Sequence, residues 1–218
     1  MFRTEDLFDF SHSLAGEYLS SFRYPWEALA GIKELIQNLQ KSLSPEYRMI
    51  TDGVYVHVTA KVAPTAYLGA PCIIGARTEV RHGAFVRGSA LVGEDCVVGN
   101  SVELKNVILF DGVQVPHYNY VGDSILGYKS HMGAGSLTSN VKSDKSLVVV
   151  KDGSEQFPTG LKKMGAMLGD FVEVGCNSVL NPGTVIGRRT NVYPLSSLRG
   201  TYPENSIVKD TRTVVPKK

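Results

Sequence analysis

The chain has 218 residues, of which 43% are hydrophobic, and its formal net charge is +2. This is enough apolar sequence to fill a core, and no run approaches the ~18 consecutive apolar residues of a membrane span. The Lys and Arg residues are dispersed and the first ten residues lack the order of a secretory signal, so we expect a cytoplasmic protein without nucleic-acid or membrane partners.

An N-terminal segment, residues 1–48, is predicted to be helical. Apolar residues recur at helical spacing over residues 4–22, with Thr4 as a candidate N-cap. A second apolar stripe starts at Pro25, which suits a first helical turn, and stops before Pro45. Two such helices cannot bury their stripes alone, so we expect them to cap the first coil of the following domain or to pack on a neighbouring subunit. Recruitment of a partner is the alternative.

Residues 49–218 contain a repeat of six residues. An apolar residue recurs at Val56, Val62, Leu68, Ile74, Val80, Val86, Val92, Val98, Leu104 and Phe110, and the period returns at Leu126, Met132 and Thr138 and from Leu168 to Leu198. The residue four positions later is mostly small, and this slot includes Cys72 and Cys96. We interpret these two cysteines and Cys176 as packing thiols, because their spacing is not that of a metal site.

A period of six is neither the 3.6 of a helix nor the 2 of an isolated strand. It predicts short strands joined by tight corners, with three hexads forming one coil of a triangular prism. The fold class is therefore mainly β, a single-stranded parallel β-helix after a short N-terminal helical segment. An alternating-strand sandwich is the alternative. Breaks in the period predict inserted loops near residues 111–125 and 139–167, and a C-terminal tail follows.

The repeat resembles the hexapeptide-repeat acyltransferases, whose coils are left-handed. From about Ile74 to Leu198, the chain resembles the acetyltransferase half of the bifunctional N-acetylglucosamine-1-phosphate uridyltransferase/glucosamine-1-phosphate acetyltransferases. The run PTGLKKMGAMLGD resembles archaeal sugar-phosphate nucleotidyltransferases. The nucleotidyltransferase half itself has no counterpart in the residues before Val56, which contain no Gly-rich phosphate loop. The segments that carry the resemblance are Glu103-Leu104-Lys105, His117-x-x-Tyr120-x-Gly122-Asp123, Gly133-Ala134-Gly135 and Asn140.

The resemblance implies transfer of an acetyl group from acetyl-CoA to the amine of an amino-sugar phosphate by a homotrimer, with no metal required. His117 matches the general base, since an imidazole takes up protons near neutral pH. The matched substrate residues are Arg87 and Lys105 for the phosphate and Tyr120 and Asn140 for the sugar and amide. The positions matched to the acetyl donor are Ala134, Cys176 and Pro194. His131 stands where the family has Asn.

Each of these residues also has a structural interpretation. His117 could cap a loop, Arg87 and Lys105 could be solvated charges, and Tyr120 could pack in an interface. For the whole chain, a second hypothesis is a non-catalytic trimeric binding or assembly module. A third is a γ-carbonic-anhydrase-like zinc enzyme, which requires three histidines at a subunit interface.

Overall fold

The protein is described by a computed structural model over residues 1–217. Its main body is a parallel β-helix of about nine turns. Strands of successive turns pair in register, Val54 with Cys72 and Cys72 with Ala90, so that equivalent residues are 18 positions apart. Three hexads per turn predict this spacing, and the predicted β-helix of hexapeptide repeats is confirmed.

The strands are short, as the hexad predicts. The first twelve are β1 (Tyr47–Thr51), β2 (Val54–His57), β3 (Lys61–Val62), β4 (Tyr67–Leu68), β5 (Cys72–Ile74), β6 (Glu79–Val80), β7 (Phe85–Val86), β8 (Ala90–Val92), β9 (Val97–Asn100), β10 (Glu103–Leu109), β11 (Gln114–His117) and β12 (Tyr120–Leu126). They are followed by β13 (His131–Met132), β14 (Leu137–Thr138), β15 (Val149–Asp152), β16 (Glu155–Pro158), β17 (Ala166–Leu168), β18 (Glu173–Val174), β19 (Val179–Leu180), β20 (Thr184–Ile186), β21 (Asn191–Val192), β22 (Ser197–Leu198), β23 (Thr201–Tyr202), β24 (Ser206–Val208) and β25 (Val214–Pro216).

The solenoid strands form three faces. Face A contains β2, β5, β8, the second halves of β10 and β12, and β17, β20 and β23. Face B contains β3, β6, β9, β11, β13, β18, β21 and β24. Face C contains β4, β7, the first halves of β10 and β12, and β14, β19 and β22. Strand β1 pairs antiparallel with β2, and β25 pairs antiparallel with β24.

The N-terminal segment is helical but more broken than predicted. It contains α1 (Thr4–Leu7), a 3₁₀ turn (Phe10–His12), α2 (Gly16–Ser20), a second 3₁₀ helix (Pro25–Gly31) and α3 (Ile32–Leu39). Thr4 is not the N-cap, which is Arg3. The Thr4 side chain is buried and donates a hydrogen bond of 2.8 Å to the Phe22 carbonyl oxygen, so a tertiary contact replaces the cap.

This segment lies along face A, and the prediction that it caps the first coil is wrong. The reason is that face A is apolar on both sides. Side chains alternate between inward and outward along each strand, and on this face the outward ones are apolar as well. These buried outward residues are Ile73, Leu91, Ile108, Ile125, Met167 and Val185. They form one core cluster with residues of the segment such as Trp26, Leu29 and Ile36. The segment therefore completes the fold of its own chain.

Asp170 anchors the N-terminal segment to the solenoid. Its carboxylate is 2% exposed and accepts hydrogen bonds of 2.8 Å from the backbone N–H groups of Asp9 and Tyr128. We expect Asp170→Ala to lower the free energy of unfolding by ~2–4 kcal/mol, because hydrogen bonds to a charged group are lost and buried donors are left unpaired. Denaturant unfolding measures this loss. Asp170→Asn retains an acceptor oxygen and should lose less, and equal stability of Asp170→Ala and wild type would contradict the anchor.

The first interruption of the period is not a loop. Residues 111–125 contain β11 and most of β12, so the prediction of an inserted loop there is wrong. The turns in this region are 17 residues apart rather than 18. The missing residue is at the corner Lys105-Asn106, so that Leu109 rather than Phe110 pairs with Val92. Asn106 has a positive φ of 54°, which closes the shorter corner.

The second interruption leaves the coil. Residue Ile125 pairs with Met167, and the chain between them contains the antiparallel hairpin of β15 and β16.

Cys72 and Cys96 are buried, and burial raises the pKa of each thiol to about 12. Cys176 is exposed, so its interpretation as a packing thiol is wrong. Within residues 1–217, no helix has the length and apolar character needed to cross a bilayer.

Candidate active site

Three of the predicted site residues, Arg87, Lys105 and Asn140, lie at the corner between faces C and A, and the hydroxyl of a fourth, Tyr120, reaches this corner from the start of face C. Arg87 follows β7, Lys105 is in β10, Tyr120 begins β12 and Asn140 follows β14. Because these four strands are neighbours on face C, the residues come from successive turns of the solenoid. The 18-residue repeat thus brings distant parts of the sequence to one corner.

Asp123 connects three of these side chains. It is 4% exposed, and the Lys105 ammonium donates to its two oxygens at 2.7 and 3.0 Å. The side-chain amides of Asn106 and Asn140 also donate to this carboxylate. Asn140 donates in addition to the Tyr120 hydroxyl at 3.1 Å. We call Lys105, Asn106, Tyr120, Asp123 and Asn140 the Asp123 network. A buried carboxylate with this many donors holds its neighbours in fixed positions.

Arg87 is held separately, by an ion pair of 2.9 Å with Glu103. This hydrogen bond raises the pKa of the Arg87 guanidinium, which therefore stays charged. Burial, followed by the nearby Asp123 charge, raises the pKa of Tyr120, so its hydroxyl stays protonated and can donate. The corner thus presents two fixed cations and a neutral phenol. Such a set suits a phosphate dianion attached to a polar ring.

His117 lies at the other corner of the same turn, between faces B and C. It ends β11, and Tyr120 begins the next strand. Its side chain is exposed and forms no hydrogen bond with any of residues 1–217, while its backbone N–H donates to Asn119 Oδ1 at 3.1 Å. The imidazole is therefore outside the Asp123 network, and it is free to contact a bound molecule at face C.

The residue column that contains His117 also contains the three positions matched to the acetyl donor. A residue column here means the residues that occupy the same corner position in successive turns. The backbone N–H of the residue that follows one column member donates to the carbonyl oxygen of the column member in the preceding turn, as Gly135 does to His117. In this way the corner aligns His82, Asn100, His117, Ala134, Cys176 and Pro194. Beyond His117 the column consists of smaller side chains, so the corner is open along its length.

Other predicted features are elsewhere. His131 lies on face B, where its ring contacts Glu173 at 2.8 Å, and it is not part of the Asp123 network. The histidines do not converge, and within residues 1–217 there is no group of three potential metal ligands.

The sequence prediction missed the role of two carboxylates. Asp123 and Glu103 both belong to motifs that carry the resemblance, but the motifs indicate no partner for either carboxylate. The regular 18-residue spacing does not explain their contact with the cations in the case of Asp123, because Lys105 pairs in register with Gly122 and Asp123 lies in line with Asn106, 17 residues earlier. Asn106 and its corner could not be recognised before the one-residue shortening was known.

The family comparison covers this region of the solenoid. The model described as the GMPPB C-terminal domain matches residues 77–192, more than half of the 218-residue chain. The chain belongs to this family. The match to the GMPPB C-terminal domain includes the whole Asp123 network, Arg87 and His117, whereas the N-terminal segment lies outside it.

Two curated proteins with sequence similarity to the chain are bifunctional proteins. A bifunctional sugar-1-phosphate nucleotidylyltransferase/acetyltransferase of Sulfurisphaera tokodaii is 33% identical over 51% of this chain and 28% of its own length. The bifunctional protein GlmU of Methanococcus maripaludis is 28% identical over 92% of this chain and 50% of its own length. The chain thus spans half or less of these two relatives. A solved hexapeptide transferase family protein from Anaplasma phagocytophilum is 14% identical, with 77% and 81% of the two chains covered and a TM-score of 0.43.

Proposed function

We propose that this chain is an acetyl-CoA-dependent N-acetyltransferase that acts on an amino-sugar phosphate such as glucosamine-1-phosphate. His117 is the general base in this proposal. Arg87 and Lys105 bind the phosphate, and Tyr120 and Asn140 contact the sugar and the reacting amide. The name of the Sulfurisphaera tokodaii relative, which includes an acetyltransferase, supports the reaction class.

One observation carries the proposal. His117 lies at one corner of face C and the cations Arg87 and Lys105 lie at the opposite corner; the imidazole makes no hydrogen bond within residues 1–217. An amino-sugar phosphate carries its two reacting or charged groups at separate positions, because its amine and its phosphate project from different carbons of the ring. This separation matches the two corners of face C. Bound across face C, the substrate would place its phosphate at Arg87 and Lys105 and its amine at His117.

The reaction assigns one role to each group. As the amine nitrogen forms its bond to the thioester carbon, His117 accepts the proton that the nitrogen loses. When the carbon–sulfur bond breaks, the imidazolium returns this proton to the departing CoA thiolate, so protons and electron pairs balance. The cations at the other corner hold the acceptor and reduce the entropy that its orientation costs.

The column beyond His117 supports the donor's position. Ala134, Cys176 and Pro194 leave an open corner beside the imidazole, along which an extended pantetheine chain could lie. The proposal includes a homotrimer, in which the donor lies between two solenoids. Face A is covered by the N-terminal segment, so faces B and C are left for the neighbours. Exposed aromatic side chains on face C, Tyr67 and Phe85, are consistent with such an interface.

The phosphate-binding residues give a kinetic prediction. Arg87→Ala and Lys105→Ala should each raise the KM for the phosphorylated acceptor by ~10-fold or more and change kcat little, because a charge-assisted contact is lost in the ground and transition states alike. Steady-state kinetics with glucosamine-1-phosphate measures this effect. Glucosamine, which lacks the phosphate, is the control substrate, and its kcat/KM should be unaffected by Arg87→Ala. An unchanged KM for both variants would contradict the assignment.

A ligand screen tests the proposal as a whole. Thermal unfolding is measured with acetyl-CoA, CoA and amino-sugar phosphates, since a ligand that binds the folded state raises the Tm. We expect stabilisation by acetyl-CoA and by a phosphorylated amino sugar. No shift with any of them, together with no release of CoA, would contradict the enzyme and favour the assembly module.

A further inference from the structure

A cavity of about 380 Å³ lies where α3 meets the corner between faces C and A. Its lining includes Arg87 and Lys105 from the solenoid and Lys33 from α3. From this arrangement we infer that Lys33 is a third residue that binds the acceptor's phosphoryl group. The inference rests on the proposed function for the identity of the acceptor, and it makes the N-terminal segment part of the substrate site.

The charges in the cavity distinguish Lys33 from the other two cations. Arg87 is paired with Glu103, and Lys105 is paired with Asp123, so each of these positive charges faces a carboxylate. Lys33 forms neither a salt bridge nor a side-chain hydrogen bond with any of residues 1–217. It therefore contributes the uncompensated positive charge of the cavity. A phosphate dianion at this corner would be attracted by that charge in addition to its contacts with Arg87 and Lys105.

The position of Lys33 is fixed by its neighbours. Ile32 and Ile36 of α3 are fully buried in the cluster on face A, so the helix cannot turn Lys33 away from the corner without exposing them. Asn106 joins the same segment to the Asp123 network, because its amide donates to the Leu29 carbonyl at 3.2 Å and to Asp123 at 3.0 Å. Lys33 is exposed and lines the cavity, on a backbone that the core holds in place.

The cavity also offers polar groups that suit an oxyanion. Ser89 and Gly88 line it beside Arg87, at the corner where the turn has its full length. Glycine is required at position 88, where φ is +111° and a Cβ would lie 2.3 Å from the Ala70 carbonyl oxygen. This glycine therefore lets the corner pack against the adjacent turn, and the neighbouring Ser89 is the polar side chain that could add a hydrogen bond to a phosphoryl group held by the three cations.

Binding measurements without acetyl-CoA test the inference. The affinities of wild type, Lys33→Gln and Lys41→Gln for inorganic phosphate and glucosamine-1-phosphate are measured by calorimetry at low ionic strength, with glucosamine as the phosphate-free probe. Lys41 is the matched control, because it is exposed, belongs to the same segment and contacts Asn38 instead of the cavity. We expect Lys33→Gln to lower the affinity for inorganic phosphate and for glucosamine-1-phosphate by ~3- to 10-fold, because one partly exposed charge is lost. Lys41→Gln should leave both affinities unchanged.

Unchanged phosphate affinity in Lys33→Gln, or an equal loss in Lys41→Gln, would overturn the inference. A wild-type protein that binds phosphate through Lys33 and yet transfers no acetyl group would overturn the proposed reaction while supporting the phosphate site. The two failures are thus distinguishable.

Discussion

Replacement of His117 by alanine is expected to slow acetyl transfer by ~10²–10⁴-fold, the usual contribution of a general base. The side chain makes no hydrogen bond within residues 1–217 and is exposed, so its removal should leave the stability of the fold unchanged. The loss should be in kcat and in kcat/KM equally, because the proton is transferred in the transition state. Steady-state rates with acetyl-CoA and glucosamine-1-phosphate provide the measurement.

His131→Ala is the matched control for this prediction. His131 occupies the position of a family Asn, but it lies on face B against Glu173, and its removal should cost little activity. Both variants should sediment at about three times the 23.7 kDa mass of the chain, as the proposed trimer requires. Loss of rate in His131→Ala with retained rate in His117→Ala would assign the base to His131. A His117→Ala variant that is less stable but fully active would support the loop-capping role.

Replacement of Asp123 by alanine is expected to lower the free energy of unfolding by ~3–5 kcal/mol, the usual result of removing one partner of a buried ion pair. The variant would leave Lys105 without its counter-charge and remove the acceptor of Asn106 and Asn140. Since Asn106 also contacts the N-terminal segment, the packing of the segment on face A should loosen as well. Denaturant unfolding measures the loss.

Glu103→Ala provides the comparison for Asp123→Ala. The Glu103–Arg87 pair is about as short but far more exposed, with side-chain exposures of 34% and 48%. Exposed pairs contribute ~0–1 kcal/mol, so this variant should be nearly as stable as wild type. Equal losses in the two variants would show that Asp123 is not the organising residue of the corner.

The solenoid could be predicted because its period is regular. Val62 pairs with Val80, and Leu68 pairs with Val86, as the six-residue repeat requires. The position of the slip could not be predicted, because Leu109 and Phe110 are both apolar and either can continue the period. In the structure both are buried, Leu109 in line with Val92 and Phe110 against Phe8.

The sequence predicts that the N-terminal segment docks, but not that it docks on face A, although part of the signal for face A is in the sequence. Apolar residues at the middle of the face A strands, such as Leu91 and Ile108, indicate that the outer side of the face is covered. The site residues were found through motif resemblance, which names residues that bind ligands and omits those that hold them. Lys33 could not be found in this way, because its role depends on how α3 packs against a corner formed by residues far along the chain.

The most direct test of the proposed function is the product formed by the wild-type protein from acetyl-CoA and glucosamine-1-phosphate, identified by mass spectrometry. We expect an N-acetylated sugar phosphate, formed together with an equal amount of CoA and absent when His117 is replaced by alanine. Acetyl-CoA that remains intact with every amino-sugar phosphate supplied, in a protein that is folded and assembled, would contradict the proposal.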